Sequence, residues 1–146
     1  MRTKHIIANL ALASFLCIVN NTAVLADEVQ TTPEGIQYAN GGIGQEEADS
    51  LSQMAKDYSL NLVFSQGSGG KIIDVDVIIY DAQGKPVFTL ANAGPQLLVN
   101  LPAGKYRIMA NYKGVKQSNT ITLDGKKSNR VILNWKASKP EEAKEE

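Results

Sequence analysis

The 146-residue sequence predicts a mainly β fold, a β-sandwich of about seven strands with one short N-terminal α-helix. Three observations carry that prediction. Short runs of alternating apolar residues recur at intervals of roughly ten residues, Gly/Pro/Asn/Asp turns separate them, and one segment only has helical periodicity. No internal repeat in the range of roughly 20–50 residues is visible, which argues against a solenoid or propeller.

The elements are expected in the following order. Residues 27–35, "DEVQTTPEG", read as a flexible polar leader broken by Pro33 and Gly35. Residues 36–136 form a single domain. Its helix covers about 45–58, where Ala48, Leu51, Ala55 and Tyr58 fall at spacings of three and four with Met54 beside them. Glu46, Glu47, Asp49, Gln53, Lys56 and Asp57 take the opposite side. The sandwich follows over about 59–136. In 59–65, Leu60, Leu62 and Phe64 alternate with Asn61 and Ser65. Residues 71–80, "KIIDVDVIIY", read as one long strand with Ile73, Val75, Val77 and Ile79 inward. Asp81 to Pro86 is a turn, since glycine permits positive φ and Asp can bond its own backbone. Strands are expected near 87–91 and 96–101, then over 105–112, 116–123 and 129–135, with a turn at Asp124-Gly125-Lys126-Lys127. Residues 137–146, "ASKPEEAKEE", are expected to be a solvated, disordered charged tail.

"GKIIDVDVIIYDAQGKPV" followed by "LPAGKYRIMANYKG" and an alternating strand resembles the carboxypeptidase regulatory-like, or transthyretin-like, β-sandwich domain over roughly 70–135. The most specific part is the Leu-Pro-x-Gly-x-Tyr corner at 101–106. The wider pattern, with "GGIGQEE" and "KDYSLNLVF", is similar to small exported bacterial proteins carrying that domain. The resemblance implies a transthyretin-like or Ig-like Greek-key sandwich and no catalytic activity. The zinc catalytic domain that accompanies it in carboxypeptidases has no counterpart here. Neither do the histidines and the C-terminal Tyr-Arg-Gly-Ser motif of the transthyretin-like purine hydrolases. In the corner, Pro102 ends one strand, Gly104 allows a sharp turn and Tyr106 enters the next strand. There its hydroxyl can bond nearby backbone as the tyrosine corner of Greek-key sandwiches does.

The first 26 residues read as a secretory signal: a basic start, the apolar run 6–19, and a small-x-small end at Val24 and Ala26, with cleavage after Ala26. An uncleaved anchor is the alternative, but the run is shorter than the roughly 20 residues a span needs and contains Asn9. Phe15 and Leu16 are too bulky for lipoprotein processing at Cys17. Cleavage removes His5 and Cys17, the chain's single His and single Cys, and makes the product periplasmic or secreted with no stable membrane span. Residues 27–146 then offer no imidazole or thiol. That excludes a Ser-His-Asp triad, a Cys nucleophile, disulfides and His/Cys zinc sites, and no cofactor is expected.

Charge is unevenly distributed. Residues 27–81 hold ten acids and two bases, whereas 82–136 hold nine bases and one acid, Asp124. The halves can neutralise each other, or Lys105, Arg107, Lys113, Lys116, Lys126, Lys127 and Arg130 can form a face for an anionic partner. An envelope protein or a polysaccharide is the expected partner. With no outward aromatics interleaved among these cations, nucleic acid is not. Asp74 and Asp76 share a strand face about 7 Å apart and are weak candidates for a cation site or, were the protein an enzyme, for a catalytic carboxylate pair; solvated surface carboxylates are the alternative. Trp135 lies in register with Val131 and Leu133 and is expected in the core. Exposed beside Tyr80 or Tyr112, it would instead offer a sugar platform. "NGGIGQEEAD" at 40–49 resembles a phosphate cradle. Glu46 and Glu47 in the first helical turn would repel phosphate, so the glycines read as a flexible approach to a self-capped helix.

Overall fold

The structure is a computed structural model that describes residues 29–137. The expected signal segment with Ala26, His5 and Cys17, and residues 138–146 of the expected tail, lie outside the described residues. In chain order the elements are β1 (Gln30–Thr31), β2 (Gln37–Gly41), α1 (Gln45–Met54) with a 3-10 turn (Ala55–Asp57), β3 (Leu60–Gln66) and β4 (Gly70–Lys71). There follow β5 (Val75–Tyr80), β6 (Pro86–Ala93), β7 (Gln96–Val99), β8 (Gly104–Tyr112), β9 (Val115–Leu123) and β10 (Asn129–Trp135). One sheet has the order β1-β2-β7-β3-β10, with β4 paired to β3, and the second has the order β6-β5-β8-β9. The fold is a two-sheet β-sandwich with one short helix.

Strand alternation builds the core. Leu60, Leu62 and Phe64 of β3, Leu97 and Val99 of β7, and Val131, Leu133 and Trp135 of β10 face inward from the first sheet. Val75, Val77 and Ile79 of β5, Phe88 of β6, and Tyr106, Ile108 and Ala110 of β8 meet them from the second. Fully burying one such aliphatic side chain stabilises by about 1.5–3 kcal/mol, so this layer dominates the fold's stability. β10 lies parallel to β3, with Asn129 opposite Leu60 and Trp135 opposite Gln66. It is an edge, joined to β9 by one side-chain hydrogen bond from each strand. The Trp135 indole N–H donates to the Val115 carbonyl (2.9 Å), and the Gln117 amide donates to the Asn134 carbonyl (2.6 Å). On the opposite side, the Tyr38 ring packs edge-on against Phe88 with centroids 5.2 Å apart.

The helix covers only half of the first sheet's outer face. Leu51, Ala55 and Tyr58, at helical spacings of four and three, bury against Ala39 of β2 and Leu98 of β7. α1 is shorter than the expected 45–58, narrowing to the 3-10 turn and becoming extended at Tyr58. The cause is Ser59. Its hydroxyl donates to the Leu101 carbonyl (2.9 Å) and accepts the Leu101 N–H (2.8 Å), which fixes the chain to the strand end beyond β7.

Other expectations are corrected. Among the described residues ten strands are present rather than about seven, because β1, β2 and the two-residue β4 were not anticipated. Residues 29–35 of the expected flexible leader form a paired hairpin. Gln30 and Thr31 pair with Tyr38 and Gln37, and the Tyr38 hydroxyl donates to Gln30 Oε1 at 2.6 Å. The single strand over 71–80 is interrupted at Asp74, which adopts φ 61°. That left-handed residue flips the alternation, so Ile72 is buried and Ile73, expected inward, is exposed. On β3, Asn61 and Ser65 face outward yet are buried, because the helix and the β3–β4 hairpin stand beside them.

Candidate binding groove on the uncovered sheet face

The glycine-rich approach to α1 is fixed rather than flexible. Gly41 ends β2, and Gly42 has φ 95°, a conformation glycine adopts without strain. The Glu47 carboxylate reaches back from the first turn and accepts the Gly42 N–H at 2.8 Å. It lies so close over Gly41 that a Cβ there would collide with it. The Lys71 ammonium donates to the Gly42 carbonyl (2.9 Å), so both backbone polar groups of Gly42 are engaged. A carboxylate therefore already holds the N–H that a phosphate would need.

The seven basic residues do not gather on one face. Lys105 and Arg107 project from the outer face of the second sheet, opposite Thr122 and Thr120. The Arg107 guanidinium lies 4.8 Å from the Tyr80 ring centroid, which corrects the expectation that no outward aromatic interleaves with these cations. Asp81 shares their surface depression and would oppose an anion there. Lys113 sits in the β8–β9 turn at φ 48°, with its ammonium 5.3 Å from the Tyr112 ring centroid, and Lys116 follows on β9. Lys126 and Lys127 lie in the turn at the other end of β9. Their N–H groups donate to Asp124 Oδ1 at 2.8 and 3.0 Å. These bonds, that from Lys127 first, hold the Asp124 carboxyl below its ordinary value of 3.8. Arg130 belongs to the other sheet, on β10 beside Asn61 of β3.

Asp74 and Asp76 are not a same-face pair, since Asp74 lies in the break before β5. Asp76 Oδ1 accepts the Asn92 N–H (3.0 Å), stabilising an irregularity in the β5–β6 ladder where Asn92 adopts φ 56°. Among the described residues, no group of three or more His, Cys, Asp or Glu side chains could hold a metal ion. At the Leu-Pro-x-Gly-x-Tyr corner, the Tyr106 hydroxyl donates to the Pro102 carbonyl at 2.8 Å. The Tyr106 ring lies over Gly104, the first residue of β8. Trp135 is 3% exposed, tilted against Phe64 and edge-on to Tyr112, so its ring faces are covered and it is no sugar platform.

The half of the first sheet that α1 leaves uncovered forms a groove of about 390 Å³. Asn61, Val63 and Ser65 make its floor, Ala48 and Ser52 of α1 form one wall, and Lys71 and Arg130 stand at its margins. No acidic side chain lines it. Asn61 Oδ1 accepts from the Gln96 amide (3.2 Å), and the Ser65 hydroxyl accepts from Asn134 (2.9 Å). Asn61 is 8% exposed, and among the described residues no acceptor partners its Nδ2. Because Asn61 lines the groove, water or a ligand acceptor there can meet its free N–H donors.

Of the expected site residues only Arg130 lies at this groove; Lys71, Asn61 and Gln96 were not anticipated. The sequence held one signal for them. Asn61 and Ser65 interrupt an apolar strand on the face that a one-sided helix leaves partly open. Reading it required knowing that β10 pairs with β3 in parallel, a contact across almost 70 residues. Among the described residues no helix is long and apolar enough to cross a membrane. Compared with known proteins, the chain matches no family model and no curated protein.

Proposed function

We propose that this is an exported, non-catalytic β-sandwich module that binds or supports a component of the cell envelope, with the groove beside α1 as its recognition surface. The observation that carries the reading is the Asn61 amide, unpartnered among the described residues and directly opposite Arg130, in a groove that Lys71 also lines and that has no acid in its lining. Two sequence features support the rest. Residues 1–26 have the character of a secretory signal, giving a periplasmic or secreted product, and residues 27–146 lack His and Cys. The resemblance of 70–135 to carboxypeptidase regulatory-like domains belongs to the same reading, since in carboxypeptidases that domain accompanies the catalytic one. Fractionation, with N-terminal sequencing of the exported product, tests the export step; a chain that retains Met1 or stays in the cytoplasm removes it.

The binding step is tested by capture from envelope extract on the immobilised protein, comparing wild type with Arg130→Glu. A component retained by the wild type and lost by the variant is expected. Equal retention by both removes the groove from the reading. A second reading, a carbohydrate- or polyanion-binding protein, is favoured by Arg107 stacked beside Tyr80 with Lys105 on the same face. It requires retention on anionic polymers that falls steeply with salt and depends on Arg107 rather than Arg130.

A further inference from the structure

We infer that the groove takes an extended acidic peptide, with two carboxylates four residues apart and an apolar residue midway between them. This rests on the groove being the recognition surface and adds the class of ligand.

The spacing comes from the strand. Arg130 is the ladder partner of Asn61, and Lys71 is the ladder partner of Ser65. Asn61 and Ser65 are four residues apart on β3, so the two cationic positions are offset by roughly 13 Å along the strand. They also sit on opposite sides of it, since β10 flanks one edge of β3 and β4 the other. Val63, half-buried, lies midway on the same face, with its ladder partner Ile132 exposed beside it. An extended peptide repeats its side chains with the same period, so its first, third and fifth residues match Arg130, Val63 and Lys71.

The donors fit carboxylates. The Arg130 guanidinium has no acceptor among the described residues, and the Asn61 amide beside it offers a further N–H. Lys71 uses one N–H on Gly42 and retains two. The lining disfavours a sugar acid. Phe64 is its only aromatic and is fully buried, so no ring is available for stacking, whereas Val63 and Ala48 suit an aliphatic side chain.

The probe is the end-capped peptide Glu-Ser-Val-Ser-Glu, titrated against the labelled protein while the Asn61 side-chain amide resonances and the heat of binding are followed. Saturable shifts of the Asn61 amide are expected. Arg130→Gln should weaken binding about tenfold, the worth of one partly exposed charge-assisted bond, and Gln-Ser-Val-Ser-Gln should bind far more weakly. Because Arg130 is exposed, Arg130→Gln leaves the fold intact, and an unchanged melting curve verifies this. An absence of saturable shifts, equal binding by Arg130→Gln, or equal binding of the Gln peptide each overturns the inference. So does binding of an oligogalacturonate in place of the peptide, which would assign the groove to a sugar acid. If the peptide fails while envelope capture still depends on Arg130, only the ligand class is lost. Failure of both removes the recognition surface itself.

Discussion

Tyr106→Phe tests the corner at 101–106 through a single oxygen atom. The ring fills the same volume in both proteins, so no cavity opens and the difference is the hydroxyl bond to the Pro102 carbonyl at 2.8 Å. Pro102 is exposed, so its carbonyl regains water when the hydroxyl is removed. The cost is therefore that of one neutral hydrogen bond, about 1 kcal/mol. For a domain of this size that lowers Tm by about 4 °C. The pH dependence supplies a second arm. Burial first, and the Asp81 carboxylate second, raise the Tyr106 hydroxyl above its ordinary value of 10.0. A raised folded value leaves stability intact below the unfolded value and removes it as pH climbs through the folded one. Wild type thus loses stability above about pH 10, by at most about 1.4 kcal/mol per pH unit for this group, and Tyr106→Phe does not suffer that loss. Urea denaturation at pH 7 and at several values up to 11 should show the variant less stable at neutrality and the gap closing at high pH. An unchanged Tm at pH 7 refutes the hydrogen-bond reasoning, and a constant gap refutes the titration.

Leu51→Ala removes the fully buried residue by which α1 docks on Leu98. It should cost about 2–5 kcal/mol in urea denaturation, and a loss below 1 kcal/mol would mean the helix is not packed as described. Glu47→Ala should cost about 1 kcal/mol by freeing the Gly42 N–H, with Glu47→Gln closer to wild type because it keeps an acceptor. Trp135, the chain's single tryptophan, should emit in the blue and resist acrylamide quenching; red-shifted, readily quenched emission contradicts its 3% exposure. Asp124→Ala should weaken the β9–β10 turn at neutral pH. That contribution is present above the unfolded value of the carboxyl and fades as pH falls through its lowered folded value, so the variant and wild type should converge in acid.

What the sequence revealed was what short-range chemistry dictates. The seven anticipated strands exist because alternation and turn residues are local properties, and Asp81 forms the expected turn by accepting the N–H groups of Gln83 and Lys85. The strand over 129–135 has the expected bounds, since Asn129 to Trp135 alternate without interruption. The misreadings have the opposite cause. β1 and β2 lack a strong apolar pattern, and β2 becomes a strand because β7 supplies its ladder partners. The break at Asp74 is masked in "KIIDVDV" because Asp74 and Asp76 fall at alternate positions, as they would on the polar face of one strand; Ile73 turned outward because Asp74 took a left-handed conformation, which Asp tolerates better than most residues. The cation set divides for a long-range reason: Lys105, Arg107 and Lys116 share the outer face of the second sheet, whereas Arg130 lies on the first. Charge clustered in sequence is dispersed by a chain that crosses repeatedly between sheets, which separates Arg130 from Lys105 and Arg107 and brings it to the groove margin shared with Lys71.

The groove depends on the helix without depending on the helix's intrinsic stability. Gly44 at its N-terminus makes no side-chain cap, and its ten residues are too few to persist alone in water. α1 is held by Leu51 against Ala39 and Leu98, and by Glu47 on the N–H of Gly42, the residue whose carbonyl Lys71 engages from the β3–β4 hairpin. One wall of the groove and one of its cations are thus tied to a single residue, Gly42. A ligand that draws Lys71 inward also acts on Gly42, and through it on the first turn of α1. Binding in the groove should therefore slow amide hydrogen exchange in Gln45–Met54 as well as on β3, whereas a ligand on the Lys105–Arg107 face should leave the helix unaffected. That contrast separates the two candidate surfaces by their mechanical connection to α1, whatever the ligand is.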